Sequence, residues 1–263
     1  MGKTTMASTL AGACLALMAS GPAQAAASAS AEIGHLVFTL IDLDPLDGID
    51  PAMMWGGSEY SQSYANTESG GWSWDSAFGW YMDSSSMSSD SFGSASGMTG
   101  SGGAHVEAEM SGSPVAGVFR SASGSGYFSG SFTVTPWTGI VVTAPYTASA
   151  STTLGDDGPF GESAEGGAYL HFALYTDDGR EVHYVQRYAG ASSAGESNFA
   201  SGTVRLTFAN LSADAMEGYF SAQAYANASS AHPVPEPASA VMMLAGLLGV
   251  GAALRRRREG RAG

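Results

Sequence analysis

From Ile33 to about Ser229 the apolar residues come in short runs that alternate with polar ones and are broken by Gly, Ser, Pro and Asp, and no window repeats every 3.6 residues. A period of two sends successive side chains to opposite faces of a strand. The clearest case sets Val204, Leu206 and Phe208 on one face and Thr203, Arg205 and Thr207 on the other, which predicts a half-buried antiparallel strand. Further strands are predicted at 35–43, 106–110, 115–120, 127–135, 140–143, 146–152, 169–175, 181–188 and 216–226. Roughly ten to twelve strands over residues 26–230 suit one antiparallel β-sandwich or jelly-roll-like body.

One hairpin can be argued to register. Asp177-Asp178-Gly179 separates the runs 168–176 and 180–186. A two-residue turn on Asp178-Gly179 would pair Leu174 with His183. A three-residue loop with Gly179 left-handed pairs Leu174 with Val182 and Phe172 with Tyr184, and it is preferred because apolar residues then face one another. Residues 82–103 are almost entirely Ser, Gly, Met and Ala, too poor in apolar surface to offset chain entropy over more than a strand or two.

Charge divides the chain into three. Residues 1–25 carry Lys3 alone; residues 26–233 hold four arginines against 22 carboxylates, a net charge of −18; residues 234–263 hold five arginines against Glu236 and Glu259. The middle part contains no lysine, which removes a P-loop lysine, a Schiff-base lysine and a Ser-Lys dyad. Nucleic acid is excluded as a partner because phosphate binding needs clustered Lys and Arg.

Few residues invite a chemical role. Asp42, Asp44 and Asp47 surround a glycine turn and resemble a calcium loop in outline, but the third carboxylate falls one position late and Met53 stands where a Glu is required, so a strand running into a turn is the expectation. The histidines are scattered, no G-x-S-x-G elbow occurs, and neither a catalytic residue nor a cofactor is assigned. Residues 55–81 are dense in aromatics. Trp72 and Trp74 would share one strand face, where an exposed pair would stack on sugar rings; burial in a sandwich core is the commoner fate of such side chains and is the expectation.

The two ends read as addresses. Lys3, the apolar stretch from Met6 to Met18 and the Ala23-Gln24-Ala25 site predict a signal helix cleaved after Ala25. The single cysteine, Cys14, lies within that segment, so no disulfide staples the body. Near the other end, Val234-Pro235-Glu236-Pro237 precedes an uncharged run, 238–254, and then Arg255, Arg256, Arg257 and Arg258, with Arg261 beyond. As a helix the run would be about 26 Å long, enough to cross a bilayer core, with the arginines held on the cytoplasmic side.

This arrangement resembles the PEP-CTERM sorting signal: a Pro-Glu-Pro at Pro235, Glu236 and Pro237, a short hydrophobic helix and a terminal basic cluster. The resemblance implies a Gram-negative host and a membrane-embedded exosortase that cuts near Pro-Glu-Pro, with transient residence in the inner membrane through residues 238–254. The protein is then expected to reach the cell envelope, cell surface or extracellular matrix. For the body the expectation is a structural or interaction role without catalysis, with extracellular polysaccharide a candidate partner. The rivals are a carbohydrate- or calcium-binding module on a plain membrane anchor, and a secreted hydrolase, which would need paired carboxylates in a cleft.

Overall fold

Alternation of small apolar with polar residues, sustained over as many as fifteen positions, builds long strands that bury one face each. A computed structural model describes residues 26–56, 59–68, 72–80, 83–100, 103–111, 119–155, 161–176 and 179–230. Among the described residues there are fourteen strands and no helix. The expected signal helix, the transmembrane helix and most of the predicted strand 115–120 lie outside them.

The strands form two seven-stranded antiparallel sheets packed face to face, a β-sandwich. The first has the order β13 (Ser197–Asn210), β10 (Thr138–Thr152), β1 (Ala26–Gly34), β8 (Gly103–Ser111), β7 (Gly93–Gly100), β6 (Ser84–Ser89), with β2 (Val37–Asp42) also on β10. The second runs β12 (Gly179–Ala191), β11 (Glu162–Thr176), β14 (Met216–Ser230), β9 (Arg120–Val134), β4 (Tyr60–Glu68), β5 (Trp72–Trp80), with β3 (Met53–Trp55) also on β9. Strand β13 behaves as its pattern predicts: Val204 and Phe208 are buried, Leu206 is half-buried, and Thr203, Arg205 and Thr207 are exposed.

Three expectations need correction or sharpening. The separate runs 140–143 and 146–152 are one strand, β10, whose partner changes from β2 to β1 at Ala144-Pro145. Pro145 has no N–H for a ladder, so a long central strand tolerates it where the neighbouring pairing breaks. The β11–β12 hairpin adopts neither expected register: Thr176 pairs with Gly179, Leu174 with Glu181 and Phe172 with His183. Leu174 and Phe172 face polar partners, while Ala173 pairs with Val182 and Leu170 with Val185; the expected matching is not enforced because β12 is an edge strand, with Val182 and Tyr184 exposed and the His183 ring stacked on Phe208. Residues 82–103 supply two paired strands, β6 and β7, the most their composition was expected to allow.

The sandwich tapers. At one end Phe132, Phe172, Phe208 and Phe220 interlock with Phe38 and Trp55, their ring centroids 5.2–6.3 Å apart. On neighbouring strands, Phe220 lies opposite Gly130 and Phe132 opposite Gly218, and each ring lies over the bare backbone of the glycine it faces. At the other end the inward positions are almost all small: Ala27, Ala29 and Ala31 of β1 pack toward Ala222, Ala224, Ala226 and Ala228 of β14. There the sheets come so close that backbone meets backbone. A Cβ at Gly97 would lie 2.5 Å from the Ser125 carbonyl oxygen and 2.9 Å from that of Tyr64, both in the opposite sheet.

Both ends of the described body leave from this narrow end. The Ala26 amide donates to Thr153 Oγ1, the Thr153 amide donates to Glu162, and Glu162 pairs with Ser230.

Candidate functional site

The outer faces of the two sheets differ in chemistry. That of the first sheet is a field of hydroxyls and carboxylates: Ser28 bonds Ser151 and Ser30 bonds Ser149, each at 2.8 Å, beside Glu32, Glu107 and Glu109. That of the second sheet carries aromatic rings from edge to edge. Phe78 on β5 lies 5.5 Å from Tyr60 on β4, and Tyr60 lies 5.6 Å from Tyr127 on β9. The Tyr127 and Tyr219 hydroxyls are hydrogen bonded to each other, and the series continues through His171, Tyr169 and Tyr184 at centroid spacings of 6.2–6.3 Å.

Strand geometry sets this row. Tyr60, Gln62 and Tyr64 alternate with Ser61, Ser63 and Ala65, so the small residues enter the narrow core and the large ones stand outward. Between β4, β9 and β14 lies a groove of about 420 Å³ lined by Tyr60, Gln62, Tyr64, Ser125, Tyr127 and Gln223. Burial, and then hydrogen bonding to Tyr219 and Tyr60, raises the Tyr127 pKa above the usual phenol value. Farther along, the Tyr225 hydroxyl donates to Glu165 at 2.7 Å and accepts from Gln186 at 2.8 Å; burial first, and then the bond to Glu165, push it up to about 12. His171 is held below the ordinary imidazole value by burial and by the Arg180 guanidinium.

Trp74 lies on this same outer face and is 66% exposed, against the expectation of burial. On β4 and β5, Trp72 is placed opposite Glu68 and Trp74 opposite Asn66, so the two share one strand face as expected; the Trp72 side chain lies outside the described residues. The exposure has a physical cause. At β5 the inner face packs against β6 through Asp75 and Ser73, which bond the Met87 amide and the Ser88 hydroxyl, and this thin edge leaves no pocket for an indole.

Asp42, Asp44 and Asp47 do not converge. Each caps its own turn, accepting from the amide two residues on: Asp44 at 3.0 Å, Leu46 at 3.2 Å and Ile49 at 2.7 Å. Among the described residues no three His, Cys, Asp or Glu side chains are grouped to hold a metal. Sequence reasoning missed Glu162, which is fully buried at the narrow end and accepts from the Thr153 and Leu154 amides at 2.8 and 2.7 Å. It missed the groove as well, although the alternation Tyr60-Ser61-Gln62-Ser63-Tyr64 was its signal. The signal-cleavage residues Ala23 and Ala25 and the whole tail, with Val234 to Pro237 and Arg255 to Arg258, lie outside the described residues.

Residues 233–258 match the PEP-CTERM protein-sorting motif, so the chain carries this motif, and in the sequence it follows directly behind β14. The motif marks an exported protein sorted through an exosortase-type partner at the cell envelope. No curated protein and no solved structure matches the chain.

Proposed function

We propose that this protein is an exported cell-surface or extracellular-matrix component, cut by an exosortase at Pro235-Glu236-Pro237, whose sandwich body serves a structural or interaction role and performs no catalysis. The observation that carries the reading is the sorting motif at 233–258, placed immediately after the last strand of the body. One further feature supports it: the lysine-free, strongly acidic body resists adhesion to anionic lipid once outside. In this reading residues 238–254 hold the precursor in the inner membrane and Arg255 to Arg258 fix its orientation until the tail is removed.

The intact mass of the protein isolated from its own host tests the proposal. The expected mass lacks residues 1–25 and everything beyond the Pro-Glu-Pro. A mass that retains the chain through Arg258 would leave a plain membrane anchor and overturn the processing step.

A further inference from the structure

We propose that the groove on the outer face of the second sheet, between β4, β9 and β14, binds an uncharged polysaccharide chain, with Tyr60, Tyr64 and Tyr127 stacking on sugar rings and Gln62 and Gln223 hydrogen bonding to hydroxyls. A pyranose offers apolar C–H faces and a rim of hydroxyls, and the groove offers aromatic rings flanked by primary amides, each amide both donor and acceptor.

The two groove amides are also available to a ligand. Gln186, Tyr225 and Glu165 already satisfy one another, and Arg180 is bonded to His171. By contrast, Gln62 and Gln223 make no side-chain hydrogen bond among the described residues, and in the bound state both would gain partners.

Charge selects the class of glycan. None of the six lining residues is charged, whereas the body as a whole carries −18. An anionic polysaccharide would be repelled by the body and find no cation in the groove, while a neutral one meets neither obstacle. Extent selects a polymer over a monosaccharide. The aromatic series runs from Phe78 on β5 to Tyr184 on β12, across all six strands of that sheet's path, with ring centroids 5.5–6.3 Å apart on either side of the hydroxyl–hydroxyl bond that joins Tyr127 to Tyr219. At about 4.8 Å per strand the track is roughly 24 Å long, room for several sugar units. Exposed Trp74, on the same face, adds a further stacking ring beside it.

The test uses full-length protein in mild detergent, run in native gels cast with hydroxyethylcellulose, galactomannan or dextran, and in parallel with alginate. Migration is expected to slow in at least one neutral polysaccharide and not in alginate. Gln62→Ala/Gln223→Ala should weaken the retardation about tenfold, two neutral hydrogen bonds' worth, and these partly exposed amides are not needed for folding. Tyr127→Ala should abolish it, and Tyr127→Phe, which keeps the ring, should retain it. No retardation in any neutral gel, equal retardation in alginate, or a double variant that behaves as the parent would each overturn the proposal. So would slow migration in plain gels that grows with protein concentration and is relieved by the double variant, since the occupant would then be a second copy of this chain.

Discussion

The broad and narrow ends of the sandwich solve the same packing problem with opposite materials. At the broad end the sheets are held apart by interlocked rings of Phe132, Phe172, Phe208 and Phe220, and stability there comes from large side chains removed from water. Nineteen of the thirty-three residues of the buried core are alanines, and the narrow end is built from alanines set with glycines whose missing side chains let opposing backbones touch. Little apolar area is buried per residue, so close dispersion contact and ladder hydrogen bonds carry the load. One end fails when something is taken away, the other when something is added.

The comparison can be broken by substitution. Phe172→Ala, at the centre of the ring cluster, should cost about 4 kcal/mol through lost transfer energy and an unfilled cavity, read as a lowered denaturation midpoint of the full chain in urea. Next comes Gly166→Ala. Its added methyl would lie 2.8 Å from the Ser149 carbonyl oxygen and still closer to that of Ser30, both in the opposite sheet. In an unstrained strand this substitution normally stabilises slightly by restricting the unfolded chain; here overpacking should reverse the sign and cost about 3 kcal/mol. A neutral or stabilising result would mean that the sheets part easily and that the contrast between the ends is wrong.

The smallest expected effect sharpens the contrast. Glu162→Gln keeps the shape of the buried side chain but exchanges charge-assisted acceptance from Thr153 and Leu154 for neutral bonds, costing about 2 kcal/mol. Because this residue fastens the loop after β10 to β11, urea-gradient hydrogen exchange should show the loss first in amides 152–154.

The same contrast explains what could be read in advance. Strand β13 was legible because Val204 and Phe208 differ strongly in hydropathy from Thr203 and Thr207. Strands β1 (AASASAEIG) and β6 (SSSMSS) were not assigned, because Ala alternating with Ser, or Ser with Ser, gives almost no hydropathy contrast although the burial alternates cleanly. The β11–β12 register escaped because an edge strand exposes Val182 and Tyr184, so opposing apolar residues carried no information. The groove joins Tyr60 to Gln223, residues from opposite ends of the body that only the β4–β9–β14 order brings together. The sorting signal was legible because its three parts are contiguous and each works by composition alone.

The position of β14 has a mechanical consequence. It is a fifteen-residue strand flanked along its length by β11 and β9, and the sorting tail continues from its last residue, Ser230. Tension applied at Ser230 along the strand axis would load the two ladders in shear, many bonds at once, instead of peeling an edge strand bond by bond. A load entering at Ser230 would act on the most firmly embedded strand of the body, and resistance to being pulled open would be set by the rate at which both ladders yield together.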